Sequence, residues 1–530
     1  MVHVPAPIQI PAIPEFASQE EKLDWLCARH DQLEFEIAEL RIRNAIWQDQ
    51  LFGRKSEKIR AQDEAIGQQR LFDTPVADDV TGPDVADEPQ KPEPKRGRGQ
   101  AKQRTHGRKP VNPALPTHVR EHLPAETPCD AQGQPLVIVG WDERERLHHI
   151  PEQVVRLLDR YPIWGLSDTR ETVETTPILP CIIPGGKLSD AFLCEIARRK
   201  YLLSQPLTRQ LIDYNDLGAE LAVSTMSNGM RALAAFLEPI QQALRTQILA
   251  HQVLHCDETT MRQQCDEHGI VQRYLWAVHA GRQVCFHFGT RAAAEIPLLL
   301  GLEPGAPPPG GPPRYALTDG YAAYDTPLAA AGIIHAGCWT HIRRDFKPLA
   351  PHFTQAAEVL REITALYHCE KQAQKTIDRD HLHGPAADAC RLDHRQRLAQ
   401  PAIDRIAGFV ERYHHLYPPD TLIAQAFTTL RNQFHKLRIY ASTGCVPIDN
   451  NQIERDMRRV AVGRKNYLFV GSEDAGSWCA TLYSLIESTR LCGLDTRAYL
   501  LHAVAGLHAS TDPARLTPEA LRAEIPKAKA

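Results

Sequence analysis

The sequence predicts a layered α/β core interrupted by a long helical insertion, preceded by a coiled coil and flanked by mainly helical segments. Three observations carry this. Three short apolar runs, QVLHCDE, RYLWAVHA and QVCFHFG, follow one another with tight gaps and lead into a helix, a strand, a second helix and a further strand. From about Arg343 to Ala441 the pattern is helical almost throughout. Residues 20–60 repeat their apolar positions in sevens.

Composition sets the outer bounds. A chain of 530 residues can hold two to four domains and bury a sizeable core. With a net charge of −4, affinity for nucleic acid has to come from local basic patches. The 13 cysteines are scattered and never form a C-x-x-C pair, which argues against a disulfide framework and for a reducing, cytoplasmic compartment; association with the nucleoid is expected only through the binding of DNA. MVHVPAPIQIPAIPEF lacks the basic start and apolar stretch of a secretory signal, and no membrane span is expected.

Residues 1–70 form the first segment. Leu26, Leu33, Leu40 and Trp47 recur every seven residues, interleaved with Leu23, His30, Ile37, Asn44 and Leu51. This is the seam of a coiled coil that would join copies of the chain, or else the inner face of one helix packed on its own protein. Residues 71–117 are a linker, acidic over 73–94 and then basic, with Lys95, Arg96, Arg98, Lys102, Arg104, Arg108 and Lys109. The basic arm can follow a phosphate backbone or remain a solvated tether. Residues 118–184 read as short strands ending in turns. In residues 185–250, Pro206–Leu217, a Gly218 turn and a helix opening at Ser224 and Thr225 fit a helix-turn-helix or a plain helical hairpin.

The core occupies residues 251–350 and resumes at 446–475 after the helical insertion, 351–445. Asp257 ends the run QVLHCDE and Asp319 ends RYALTDGY, so both are expected where a buried strand meets a loop. IDNNQIERDMRRVAVGRKNYLFVGS, residues 448–472, sets Glu454 among Arg455, Arg458, Arg459, Arg464 and Lys465. Such a density of cations calls for a polyanionic partner, and Asn450 and Asn451 suit water or metal-bound groups beside a phosphate. Asp257, Asp319 and Glu454 together are what two Mg²⁺ ions require for in-line phosphoryl displacement. Glu258 is a substitute ligand, disfavoured because strand alternation turns it to the other face. Cys338 and His341, spaced C-x-x-H, are too few for a zinc site and are expected to pack and hydrogen-bond. Residues 476–530 read as helical, with Thr517 and Pro518 opening a small terminal helix.

HCDETT, LTDGYAAYD, GCWTHIRRDF and the 448–472 segment resemble the motif series of the insertion-sequence 66 family of DDE transposases. LFGRKSEK, HGRKPVNPALP and KYLLSQPLTRQ are similar to that family too, so the likeness runs over nearly the whole chain. The resemblance implies a ribonuclease H-like catalytic core with Asp257, Asp319 and Glu454 as its acids. It also implies metal-dependent hydrolysis at the ends of an insertion sequence, attack of the freed 3′-hydroxyl on target DNA, Mg²⁺ or in its place Mn²⁺, and small accessory proteins as partners. One departure stands out. Members usually carry a four-cysteine zinc segment, whereas residues 118–165 hold only Cys129, with His118, His122, His148 and His149, so a degenerate ribbon without zinc is expected. A DNA-binding remnant without strand transfer, and a nuclease that cleaves without joining, are the competing functions.

Overall fold

The computed structural model describes residues 18–52, 153–155, 163–165, 172–175, 179–265, 269–302 and 312–528. The elements below all belong to one compact unit, made of the described residues of 1–80, 160–216 and 220–530; residues 153–155 and 217–219 fall in a second. Most of the expected 118–184 segment, its Cys129 and four histidines, and Lys95, Arg96 and Arg98 lie outside the described residues.

Helix α1 spans Gln19–Phe52. Its seam leucines Leu23, Leu26, Leu33 and Leu40 and Ile37 are all exposed on the single chain. The opposite face is in use: Ile42 is buried in the core of the helical insertion, Phe35 stacks on Tyr417 at 5.6 Å, and Glu39 accepts from Leu422 N at 2.9 Å. Strands β1 (Ile163–Gly165) and β2 (Thr172–Thr175) form a small antiparallel pair.

Helix α2 (Asp190–Ala197) is capped by Ser189, whose side chain accepts from Phe192 N, and runs on as a π-helical turn at Arg198–Leu202. Helices α3 (Leu207–Asp216) and α4 (Val223–Leu249) follow. Met226, Met230, Leu233, Leu237, Ile240, Leu244 and Ile248 make a buried stripe at helical spacing along α4, which packs on the sheet and on the C-terminal helices. The second helix of the expected helix-turn-helix is thus a 27-residue core element.

The central sheet has five strands, β3 (Val253–Cys265), β4 (Gly269–Ala280), β5 (Gln283–Gly289), β6 (Arg314–Thr318) and β7 (Ile333–Gly337), in the order β5-β4-β3-β6-β7. Strands β3, β4 and β5 are an antiparallel meander, and β6 and β7 join parallel to β3. Helices α5 (Glu295–Leu300) and α6 (Asp325–Ala330) supply the crossovers. Helix α5 opens at Glu295, whose carboxylate turns back to accept from Thr290 N and Oγ1, both at 2.8 Å.

One strand end differs from expectation. Strand β3 does not stop near Asp257 but continues for eight residues, paired with β4 as far as Cys265 opposite Gly269. The extension has backbone partners on its other edge as well: Gln264 N donates to Val470 O and Val470 N to Arg262 O, each at 2.8 Å. Asp257 is therefore mid-strand.

Helix α7 (Trp339–Phe346) leads into the insertion, α8 (Thr354–Arg379), α9 (Gly384–His394), α10 (Gln400–Tyr413), α11 (Leu422–Leu437) and α12 (Ile439–Ser442). Its core, with Ile363, Leu366, Ile403, Ile406, Phe427 and Leu430, is continuous with Trp339, Ile342 and Phe346 of α7. The chain returns to the sheet through a loop in which a Cβ on Gly444 would lie 1.8 Å from Asp388 O. Gly444→Ala must displace backbone there, and a loss of about 3 kcal/mol is expected in denaturant unfolding.

Helix α13 (Asn451–Tyr467) lies across β3, and α14 (Glu473–Leu491) covers edge strand β5. Ser484 Oγ accepts from Phe286 N at 2.8 Å, and Ser488 Oγ accepts from Val284 N and donates to Val284 O, both at 3.0 Å. These serines satisfy edge groups that would otherwise invite pairing with another chain. Helix α15 (Thr496–His508) follows; in place of a helix opening at Thr517 there is a 3₁₀ turn at Pro513–Leu516 and then turns. Among the described residues no helix is long and apolar enough to cross a membrane.

Candidate active site

Parallel pairing of β3 with β6 sets the first two acids level. His255 is opposite Leu317, so two residues further along Asp257 stands beside Asp319, the residue after Thr318 at the end of β6. Equal offset on adjacent parallel strands puts both on one face, at the strand spacing of about 4.8 Å. Asp319 leaves the sheet through Gly320, at φ +94°, where a Cβ would lie 2.4 Å from Gln433 Oε1. Tyr321 N donates to Asp319 Oδ1 at 2.9 Å and Gln433 Nε2 to Gly320 O at 2.6 Å, so α11 of the insertion holds this turn.

Asn450 brings in the third acid. It is fully buried, its Nδ2 donating to Cys256 O at 2.9 Å, its Oδ1 facing His255 Nδ1 at 2.8 Å, and its backbone N–H donating to Cys338 Sγ at 3.2 Å. Burial holds His255 down at about 4, so the ring is neutral at neutral pH and its Nδ1 donates to the asparagine. These bonds tie the start of α13 to the residue before Asp257, and Glu454 follows in the first turn. The Glu454 carboxylate is 5% exposed, with His341 Nε2 at 3.7 Å and Arg344 Nη2 at 3.5 Å.

The acids feel one another. Burial pushes the Asp257 carboxyl well above its ordinary value, and the charges of Asp319, Glu258 and Glu454 push it further. Its Oδ2 is buried without a hydrogen-bond partner, while Oδ1 accepts from Glu258 N at 2.9 Å. Glu258 is pushed up to about 7 by burial and by Asp319, against the pull of Arg291 at 3.1 Å. Arg291 in turn lies over the Tyr321 ring at 4.4 Å, so Glu258 has its own cation on the other face. Among the described residues no three His, Cys, Asp or Glu side chains are drawn together closely enough to hold a metal ion. The donor set is chemically suited to hard divalent cations: oxygen ligands, an excess of negative charge, and an orphaned buried carboxylate oxygen.

The basic residues of α13 divide. Arg455 is exposed, donating to Asn451 O at 3.2 Å, and Arg458 and Lys465 are half-buried. Arg464 is buried and fastens α13 to β3 through Thr259 Oγ1 at 2.9 Å, Thr260 Oγ1 at 3.0 Å and the Thr260 carbonyl. Arg459 donates to Leu202 O at 3.1 Å and pairs with buried Glu487 at 3.2 Å. Asn451 donates to Asp449 Oδ2 at 3.0 Å. Asn450 and Arg464 therefore build the site from within; neither presents a surface to DNA here.

Two features escaped the sequence reading, and a third was read only in part. Arg344 was never singled out, although it lies in the block GCWTHIRRDF. The C-x-x-H pair is divided, Cys338 serving Asn450 and His341 facing Glu454. Behind Asp319, Thr318 Oγ1 meets His335 Nε2 at 2.7 Å, His335 Nδ1 meets Asp325 Oδ1 at 2.7 Å, and Lys436 Nζ pairs with Asp325 at 2.6 Å. Full burial of Thr318 excludes it as a nucleophile, and its hydroxyl also accepts from Gly320 N at 2.9 Å. This network braces the turn that carries Asp319.

A family model described as Transposase IS66 family matches residues 185–477. The chain belongs to the IS66 transposase family. The matched span includes the whole five-stranded sheet, the insertion and Asp257, Asp319 and Glu454. The chain is also similar to two Sinorhizobium fredii (strain NBRC 101917 / NGR234) proteins. Uncharacterized protein y4qI is 27% identical over 405 residues, covering 72% of this chain and 71% of the relative. Uncharacterized protein y4hP is 24% identical over 427 residues, covering 75% and 74%. No solved structure matches this IS66 family member.

Proposed function

We propose that this protein cleaves DNA at the ends of an insertion sequence and joins those ends to target DNA, using Asp257, Asp319 and Glu454 to hold two divalent cations. The observation that carries this is the level placement of Asp257 and Asp319 on adjacent strands, with the helix of Glu454 tied beside Asp257 by Asn450. The order β5-β4-β3-β6-β7, with an antiparallel meander and two parallel strands, supports a ribonuclease H-like core. Mg²⁺, or Mn²⁺ in its place, would supply Lewis-acid charge at the attacking and leaving oxygens. The chain's own part is to hold that charge on two adjacent interior strands of a rigid sheet. Arg455, Arg458 and Lys465 neutralise the approaching backbone, with Lys95, Arg96 and Arg98 of the basic arm extending the contact.

Incubating the full chain and Mg²⁺ with labelled element ends and a plasmid target tests this. Joined product is the expected result; cleaved ends alone would make it a nuclease. Bound but uncut DNA would favour the second reading, a DNA-binding protein without strand transfer.

Assembly rests on α1. Its exposed seam of Leu23, Leu26, Leu33, Ile37 and Leu40 lies opposite the face docked on the insertion, so a second copy can pair without disturbing that core. Leu26→Glu with Leu33→Glu is expected to convert a dimer or higher oligomer into a monomer in light scattering on the full chain. An unchanged mass would remove the coiled coil from the account.

A further inference from the structure

Five arginines gather where the π-helical turn after α2, the end of α14 and the start of α15 come together. A cavity of about 370 Å³ opens there, with Arg198, Leu202, Arg490, Asp495 and Arg497 in its wall. The carboxylates that hold these arginines lie deeper. Glu195, 13% exposed at its side chain, accepts from Arg198 Nε and Nη2 at 2.9 and 2.7 Å, from Arg199 Nε at 3.2 Å and from Arg497 Nε at 3.0 Å. Arg199 also pairs with Asp213. Glu487 pairs with Arg490 at 2.7 Å and with Arg459 at 3.2 Å, and Asp456 lies 3.6 Å from Arg490. Acids and arginines nearly balance in number but not in depth. The side chains of Arg490, Arg459 and Arg497 are 32, 39 and 53% exposed, whereas those of Glu487 and Asp456 are fully buried. Exposed cations over buried carboxylates give the cavity a positive mouth whose guanidinium groups are already held in place. Asp495, the acid in the wall, caps α15 by accepting from Ala498 N at 2.8 Å.

The cavity is joined to the helix of Glu454. Arg455 and Arg459 stand one turn apart on α13, and Arg459 Nη1 donates to Leu202 O in the cavity wall at 3.1 Å while sharing Glu487 with Arg490. From Glu454 to Arg459 the helix rises about 7.5 Å, close to two steps of about 3.4 Å along a DNA strand. A line of arginines thus runs from beside the acids to the C-terminal helices.

We propose that this cavity binds a backbone phosphate of the DNA through Arg490 and Arg497, so that the strand leaving the acids follows α13 toward α15. This rests on the reading that the protein binds DNA, and it adds a contact outside the basic run of α13. The planar arginine fork offers paired N–H donors to a phosphodiester, and the contact carries no sequence information of its own.

Binding of the full chain and its Arg497→Gln, Arg490→Gln and Arg455→Gln variants to a labelled duplex of one element end is measured across a salt series, beside thermal melts. Arg497→Gln is expected to melt like wild type, because the side chain is half-exposed. It is expected to weaken binding about threefold and to flatten the slope of log K against log salt by about 0.9, the loss of one phosphate contact. Arg490→Gln is expected to flatten the slope by the same amount. A purely structural role would move the melt and leave the slope alone. An unchanged slope in Arg497→Gln overturns the proposal, and a flattened slope in Arg455→Gln then leaves the DNA reading standing; a wild type that binds no duplex removes both. Inorganic pyrophosphate whose binding in calorimetry is lost in Arg497→Gln, with the DNA slope kept, would make this a site for free anions and overturn the proposal as well. Should Arg490→Gln not fold, Arg497→Gln alone decides, with Arg497→Lys expected to restore the slope.

Discussion

Asp257→Asn should abolish DNA cleavage, by roughly a thousandfold or more, while leaving DNA binding and the fold intact. Asp257 is buried among like charges, so replacing it removes a metal ligand and also an electrostatic burden on the metal-free fold. The sign follows from linkage. A carboxyl raised in the folded state binds its proton where the unfolded chain has lost it, so its contribution to stability is full below the unfolded value and is lost as pH rises through the folded one. For Glu258 that window runs from 4.5 to about 7, and for Asp257 it begins at 3.8 and extends well above. Metal-free wild type should therefore lose stability from about pH 4 upward, and Asp257→Asn should flatten that slope. Thermal melts in EDTA across this range, beside a cleavage assay in Mg²⁺, check both halves. A variant that loses cleavage only because it unfolds would contradict the assignment.

Arg395→Met should destabilise the protein by about 3–5 kcal/mol, the largest loss expected from a single residue outside the acids. Arg395 is 1% exposed and lies 4.2 Å over the Tyr440 ring. Its Nε and Nη2 donate to Glu370 at 2.8 and 2.9 Å, and Nη1 donates to the carbonyls of Tyr440, Thr443 and Val446 at 3.1, 2.7 and 2.8 Å. Methionine fills similar space but removes the counter-charge of the carboxylate, to which the Tyr440 hydroxyl still donates at 2.8 Å, and takes the donor from three carbonyls at once. Those carbonyls belong to the segment that returns the chain to α13, so Glu454 should lose its placement along with stability. Arg395→Lys should recover only part, since an ammonium cannot reproduce the fork. A denaturant midpoint within error of wild type for Arg395→Met would contradict this.

Much of the sheet was legible because its signals are local. Three apolar runs with tight gaps can hardly be anything but a meander, and the acid ending RYALTD falls just where β6 stops. The continuation of β3 past Asp257 was hidden, since TTMRQQ is polar enough to pass for a loop and is strand only because β4 and Val470 pair with its two edges. The basic helix was legible as a charge density but not as a division of labour. Arg464 and Arg455 look alike in sequence, and only the packing of α13 on β3 turns one inward to threonines and leaves the other outside. Asn450 was read as a partner for phosphate for the same reason: an amide's hydrogen bonds are visible only when its neighbours are known. Arg395 was invisible because burial of an arginine is a tertiary fact, and Arg344 because its approach to Glu454 joins distant parts of the chain.

The central claim is that Asp257, Asp319 and Glu454 meet around divalent metal. Anomalous scattering from Mn²⁺ in crystals of the full chain bound to an element end tests it most directly. The account predicts manganese held by Asp257, Asp319 and Glu454 together. Manganese bound elsewhere, or Glu454 outside its coordination with metal and DNA both present, would contradict it.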